Sequence, residues 1–305
     1  DRIMAFAYKM TPAFRHGVMT PWGGSKLKTL YGKEIPDEMT GESLEASTLP
    51  GLESRLPDGR TLTELCGGPL PLLLKFIDAK ERLSVQVHPD DAFAAEHENG
   101  KLGKEEAWLI LHAEPGAKLV YGLKPGTDLS RVSGREIEDC LRWVDVRDGD
   151  VLYIPSGMVH AIGAGIVLYE IQQSSDVTYR FWDWGKLGAD GKPRQLHWDK
   201  ACRCARPELT LQPAQGEEET VPGGAVLKCL KTRFFALDKL RCDGAQPLRF
   251  PARGSFRYVT ILSGTGALRH GDETLAAKAG DTFFVPAGVE DLYLEGKCEA
   301  AVSSL

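Results

Sequence analysis

Val146-Arg147-Asp148-Gly149-Asp150-Val151-Leu152-Tyr153-Ile154-Pro155-Ser156-Gly157 recurs near the end of the chain as Ala277-Lys278-Ala279-Gly280-Asp281-Thr282-Phe283-Phe284-Val285-Pro286-Ala287-Gly288. Each copy reads as a Gly-Asp turn, a short apolar strand and a Pro-x-Gly turn. Ahead of the second copy, a strand from Tyr258 to Leu262 runs into the turn Ser263-Gly264-Thr265-Gly266, which outlines a small double-stranded β-helix. Two jelly rolls are therefore implied, one over residues 1–212 and a smaller one over 225–305. The polar stretch from Pro213 to Gly224, with Glu217-Glu218-Glu219, reads as the linker or exposed loop between them.

The surrounding composition agrees with a mainly β protein. Its 33 glycines and 18 prolines are spread evenly among short runs of Val, Ile, Leu, Phe and Tyr. Helix is expected in a few inserted places. One runs from Asp90 to Asn99, closed by Gly100; another runs from Asp128 to Leu141, where Leu129, Val132, Ile137 and Leu141 are spaced for one apolar face.

Bulk chemistry excludes some classes of function. Lys and Arg total 37 against 43 Asp and Glu, a net charge of −6, so no basic field is present to gather nucleic acid or anionic lipid. No apolar run approaches the ~20 residues of a membrane span. The seven cysteines follow no disulfide framework, which fits a reducing cytoplasm. The Cys202-Arg203-Cys204 pair has no second pair or nearby His to complete a metal site, so these are read as ordinary thiols. A small molecule is the expected partner.

The two repeats differ chemically. Five residues after Pro155 stands His160, whereas five after Pro286 stands Asp291. The first roll is thus expected to carry the chemistry. In Leu83-Ser84-Val85-Gln86-Val87-His88-Pro89, strand alternation sends Ser84, Gln86 and His88 to one face and Leu83, Val85 and Val87 to the other. Glu106 opens a further strand and shares its face with Trp108 and Ile110, while Glu105 points away. Buried polar groups need partners, and a metal satisfies an amide oxygen, two imidazoles and a carboxylate together. Each residue alone reads equally well as solvated. Such a set suits Zn²⁺, with Fe²⁺, Co²⁺ or Mn²⁺ as competitors. His16, His97, His112, His197 and His270 are expected to be solvated, and Trp182 and Trp184 to be core or rim residues.

Gln86-Val87-His88-Pro89-Asp90-Asp91, Gly103-Lys104-Glu105-Glu106-Ala107-Trp108, Pro155-Ser156-Gly157-Met158-Val159-His160-Ala161-Ile162-Gly163 and Ser175-Asp176-Val177-Thr178-Tyr179-Arg180 resemble the successive motifs of class I mannose-6-phosphate isomerases. Pro21-Trp22-Gly23-Gly24 and Thr40-Gly41-Glu42-Ser43 extend the resemblance, which runs in order from about residue 12 to 200. It is closest to the short bacterial branch, and implies two cupin-type jelly rolls and the interconversion of mannose 6-phosphate and fructose 6-phosphate with one bound zinc. By the same resemblance, Gln86, His88, Glu106 and His160 fall on metal ligands, Arg180 on a catalytic arginine, and Lys104 and Lys75 on active-site lysines. Leu44 and Ala107 depart from the family pattern, where an aromatic and a Cys are common.

Isomerisation of this kind moves a proton between C1 and C2 through an enediolate. A metal would stabilise charge on the sugar oxygens, and the fixed guanidinium of Arg180 would add to that. A lysine buried beside a cationic metal can lose its proton near neutral pH, so Lys104 and Lys75 are candidate bases. A metal-bound hydroxide is an equal alternative. Ser84, Lys104 and Arg180 are candidates for the phosphate. Two other classes remain open: a non-haem metal oxygenase on the same scaffold, and a non-catalytic phosphosugar-binding protein. Unpaired jelly-roll edges allow a monomer or a homodimer.

Overall fold

The computed structural model describes residues 5–305. Strands dominate and are arranged in three antiparallel sheets. The first roll is built from two of them. Its six-stranded sheet runs in the order Ala13–His16, Thr40–Ala46, Leu72–Ala79, Ile166–Gln173, Glu106–Ala113, Val151–Ile154. Its five-stranded sheet runs Tyr179–Trp182, Val85–Val87, His160–Ala161, Lys118–Leu123, Leu141–Asp145.

Three central strands of the six-stranded sheet are buried on both faces, and their two faces differ. From Leu72–Ala79, Leu72, Leu74 and Phe76 pack outward against the second roll; from Ile166–Gln173, Val167, Tyr169 and Ile171 do the same. Ile77, Ile110, Trp108 and Leu168 face the interior of the first roll. By alternation, Lys75, Glu106 and Glu170 share that interior face. Three ionisable residues thus lie side by side on adjacent strands of one sheet.

The second roll is a ten-stranded system organised on the 14-residue strand Arg257–His270, which pairs with Thr282–Val285 and Lys297–Ser304 at its start and with Glu273–Lys278 and Leu292–Glu295 at its end. Its interior is filled by Leu240, Leu248, Val259, Ile261, Leu268, Phe283, Val285 and Leu294. The sheet also takes in Tyr8–Lys9 from the front of the chain, paired with Phe284 and Phe283. The rolls are joined by a shared apolar cluster and by the Tyr258 hydroxyl, which donates to the Leu72 carbonyl at 2.7 Å.

The Gly-Asp turn of the repeat makes the same hydrogen bonds in both copies. Gly149 N donates to Ile110 O and Gly280 N to Ile261 O, each at 2.8 Å. Arg147 N donates to Asp150 Oδ2 at 2.9 Å and Lys278 N to Asp281 Oδ2 at 3.0 Å. Gly149 and Gly280 have φ of 91° and 94°, and Gly157 and Gly288 have 87° and 86°, the left-handed backbone that these two turns require. The copies diverge where expected. His160 enters a strand and is buried, whereas Asp291 is exposed and pairs with Arg249 at 2.7 Å.

Several expectations need correction. The anticipated helix over 128–141 is two 3₁₀ pieces, Leu129–Arg131 and Gly134–Cys140, and Leu141 already belongs to a strand. Gly134, at φ 54°, interrupts any continuous α-helical ladder, and Val132 is extended. The helix after Pro89 forms over Asp91–His97, with Asp90 accepting from Phe93 N. Three short helices went unread: Lys26–Tyr31, Leu62–Cys66 and Trp198–Cys204. The second of these carries a capping box between Thr61 and Glu64. The polar stretch after Pro213 is not simply a loop, because Glu217–Val221 is an edge strand paired with Gly224–Lys231. Its run of glutamates protects that edge from further pairing.

Candidate metal centre and the cavity around it

His88, Glu106 and His160 converge from three strand ends, and all are buried. Strand pairing dictates the meeting. His160 is the register partner of Gln86, and Gln86 is also the partner of Arg180, so the five-stranded sheet sets these residues side by side. Glu106 reaches across from the facing sheet. His88 Nε2 lies 3.6 Å and His160 Nε2 3.4 Å from the same oxygen, Glu106 Oε1, and the imidazole centroids are 4.7 Å apart.

Both imidazoles are oriented through the other nitrogen. His88 Nδ1 is 3.0 Å from the Val177 carbonyl oxygen, and His160 Nδ1 is 2.9 Å from that of Met158. A carbonyl only accepts, so Nδ1 carries the proton in each ring and Nε2 presents a lone pair. Burial, and then the charge of Lys104, drives His88 down to about 3; burial lowers His160 as well. Both rings are therefore neutral. Burial opposes ionisation of Glu106, but the charge of Lys104 outweighs it and holds this carboxyl well below its ordinary range. His88 Nε2 and Glu106 Oε2 have no hydrogen-bond partner. Two lone pairs and a carboxylate facing one another at a buried site fit a divalent cation. Gln86 Nε2 donates to Ser84 O and Oγ, which leaves its amide oxygen uncommitted.

A cavity of about 310 Å³ opens above this centre, and Ser84, Gln86, Lys75, Lys104 and Arg180 all line it. The sequence-derived residues are thus brought together. Leu83 also lines the cavity, contrary to the alternation expected for it, because the strand begins only at Val85.

Four further residues in the cavity were not picked out from sequence: Arg15, Glu42, Glu170 and Arg194. Arg15 Nη1 lies 2.9 Å from Glu42 Oε2, and Lys75 Nζ lies 2.8 Å from Glu42 Oε1 and 3.3 Å from Glu170 Oε2. Trp108 Nε1 donates to Glu170 Oε1 at 2.9 Å. Burial resists the charge on Glu42, yet Lys75 and Arg15 push it down to about 2. Burial pulls Lys75 down, but Glu42 and Glu170 more than offset this and its value is raised, so the ammonium keeps its proton. Glu170 is the opposite case: burial and the nearby charge of Glu106 push it up to about 7. A charged residue within the otherwise apolar run Ile166–Ile171 is the signal the sequence offers for Glu170.

At the mouth, Arg180 Nη1 donates to the Gln195 carbonyl at 3.1 Å. Arg194 is held by both oxygens of Asp183, at 2.8 and 3.2 Å. His197 is not merely solvated: its Nδ1 accepts from Arg180 N at 3.0 Å and fixes that strand end. Trp184 is anchored by donating to the Leu83 carbonyl, and Trp182 by donating to Glu138. Cys202 and Cys204 are free thiols in the last turn of the Trp198–Cys204 helix. No helix among the described residues is long and apolar enough to cross a membrane.

Comparison with known proteins agrees with this geometry. The family model for the mannose-6-phosphate isomerase cupin domain matches residues 225–305. The mannose-6-phosphate isomerase ManA of Bacillus subtilis is 35% identical over 317 residues, covering 96% of this chain and 97% of that protein. A crystal structure of the mannose 6-phosphate isomerase from Bacillus subtilis superposes with a TM-score of 0.90 at 32% identity, covering 99% of this chain and 100% of that one. The fold is shared by a mannose 6-phosphate isomerase solved with zinc and yttrium bound, with a TM-score of 0.78 at 15% identity, covering 98% and 99% of the two chains. By its sequence relatives and its architecture, the chain belongs to the mannose-6-phosphate isomerase family.

Proposed function

We propose that the chain interconverts mannose 6-phosphate and fructose 6-phosphate in the cavity above His88, Glu106 and His160, with one zinc ion held by these three and Gln86. The observation that carries this reading is the pair of imidazoles whose Nδ1 atoms are tied to carbonyls while both Nε2 atoms face one carboxylate oxygen. A divalent ion bound there supplies Lewis acidity towards the sugar's oxygens.

The chain's own groups account for the remaining work. Arg180 and Arg194 place two guanidiniums at the cavity mouth, the second pre-oriented by Asp183, and suit a phosphate in bidentate contact. Ser84 adds a hydroxyl beside Gln86. The enediolate's charge is countered by Lys104, whose Nζ is 3.4 Å from Glu106 Oε2, and by Arg180. Glu170, with a value of about 7, can both take and return a proton near neutral pH, which makes it the carboxyl suited to the C1 to C2 transfer. Lys75, held protonated between two carboxylates, serves by positioning Glu170 rather than as the base. Catalysis is assigned to the roll of residues 1–212, and the roll of 225–305 supplies no ligand. The protein is read as a cytoplasmic enzyme, monomeric or homodimeric, with no nucleic-acid or membrane partner.

The test is to strip the purified protein with a chelator and follow fructose 6-phosphate formation before and after zinc is restored. Recovery with about one equivalent of zinc is expected. Iron-dependent oxygen uptake without isomerisation would replace this reading with an oxygenase.

A further inference from the structure

A second cavity, of about 580 Å³, lies behind the metal centre, where the two rolls and two helices meet. Its floor is Glu105 and the Pro155-Ser156-Gly157 turn, and its rim carries Arg203, Arg206 and Arg233. Glu105 is only 4% exposed, makes no ion pair among the described residues, and its Oε2 has no hydrogen-bond partner. An unpartnered carboxylate oxygen in so buried a place is costly unless something donates to it.

Of the other carboxylates on this wall, Glu96 is exposed and 3.9 Å from His97, and Asp90 and Asp91 are committed. Asp90 caps Phe93 N, and Asp91 Oδ1 accepts from Gly103 N and Gln173 Nε2. The cations are less so. Arg203 and Arg206 meet only exposed carboxylates, at 4.0 and 3.4 Å, and Arg233 makes no ion pair among the described residues. The guanidiniums of Arg203 and Arg233 lie over Phe93 and Phe234, at 5.7 and 4.6 Å from the ring centroids. The chemistry is therefore divided, with a rim for an anion and a floor for a hydroxyl donor.

We propose that this cavity is a second binding site for a small phosphorylated polyol, its phosphate on the three arginines and a hydroxyl on Glu105. The site is tied to the metal centre by short backbone links. Gly157 N donates to the carbonyl of His88 at 2.9 Å, Arg206 N donates to Gly157 O at 2.7 Å, and Glu105 precedes Glu106 on the chain. A ligand on this floor thus lies next to the backbone that carries two of the proposed metal ligands.

Calorimetric titration of the zinc-loaded protein with mannitol 1-phosphate, which has no carbonyl to isomerise, tests the proposal. Two binding events are expected. One should persist in Arg180→Ala and disappear in the double variant Arg206→Ser with Arg233→Ser, whose isomerase kcat/KM in the absence of the polyol phosphate should stay within about twofold of wild type. Glu105→Gln should weaken that event roughly tenfold, the loss of one charge-assisted hydrogen bond, while inorganic phosphate binds the same variant unchanged. A single event in the wild type, a second event that survives the double variant, or equal binding of inorganic phosphate and the polyol phosphate would overturn it. A protein that shows the second event but no isomerisation would sink the proposed function and leave this site standing.

Discussion

The buried chain of charges from Arg15 through Glu42 and Lys75 to Glu170 makes a quantitative demand on stability, and Lys75→Met tests it. Methionine keeps the length of the side chain and removes its charge. In the wild type, Lys75 Nζ is 2.8 Å from Glu42 and 3.3 Å from Glu170. At an effective dielectric near 20, each contact is worth about 5 to 6 kcal/mol of Coulomb attraction before desolvation is counted. Breaking a buried pair by deleting one partner typically costs about 3 to 5 kcal/mol. Glu42 keeps Arg15, and Glu170 can take up a proton, so the low end, about 3 kcal/mol, is expected at pH 6. The pH dependence follows from the two carboxyls. Glu42 is held down to about 2, so its contribution is in place above its ordinary value of 4.5 and is constant between pH 6 and 8.5. Glu170 is raised from 4.5 to about 7, so its contribution is full below 4.5 and is lost as pH rises through 7. Without Lys75 its folded value climbs further and the loss continues past pH 7, at about 1.4 kcal/mol per pH unit. The deficit relative to wild type should therefore widen by about 2 kcal/mol between pH 6 and 8.5. Urea unfolding followed by circular dichroism, with chelator present so that no bound ion shifts Glu170, measures both numbers. A deficit below about 1 kcal/mol at pH 6, or one that shrinks as pH rises, would refute the buried network as described.

Glu106→Gln removes the one negative charge facing both imidazoles; bound zinc, measured by atomic emission after dialysis, should fall well below one equivalent, with activity down at least ~100-fold. Retention of a full equivalent would take Glu106 out of the ligand set. Arg194→Gln should raise KM for mannose 6-phosphate roughly tenfold or more with little change in kcat, since it removes charged hydrogen bonds made in ground and transition state alike; an unchanged KM would place the phosphate elsewhere. Gly163→Ala would set its Cβ 1.6 Å from the Lys118 carbonyl oxygen, so the pairing of His160–Ala161 with Lys118–Leu123 must shift. A loss of about 2 to 3 kcal/mol in chemical denaturation is expected, against almost none for Gly254→Ala, which meets nothing within 4 Å.

What could be read from the sequence was whatever is local or periodic. The Gly-Asp and Pro-x-Gly turns of the repeat declare their backbone needs within twelve residues, and both copies fold with the same hydrogen bonds. Alternation correctly put Glu106 on one face with Trp108 and Ile110. Alternation gives the face, however, and not the neighbour. Lys75 is the register partner of Glu170 and lies beside Leu44, and such pairings across long sequence separations decide which charges are neutralised. Glu170 could therefore not be distinguished from a solvated glutamate until its strand was seen to be covered on both faces. The 128–141 segment failed for a local reason, because the apolar spacing was helical but Gly134 sits at positive φ.

The two rolls share a turn geometry but differ in what fills their interiors. In the second, inward positions are apolar and are filled by Val259, Ile261, Phe283, Val285 and Leu294. In the first, the interior must keep Glu42, Glu106, Glu170, Lys75 and Lys104 out of water, at a cost that favourable pairing offsets only in part. The strands that carry these charges are stabilised from their other side. Leu72, Leu74, Phe76, Val167, Tyr169 and Ile171 pack against Leu237, Tyr258, Phe284 and Ala301. Burying a side chain of that size contributes about 1.5 to 3 kcal/mol, so six of them are comparable with the cost of holding several charges in a dry cavity. The second roll thus packs behind the sheet, on strands whose outward face is mostly apolar and whose inward face carries the buried charges.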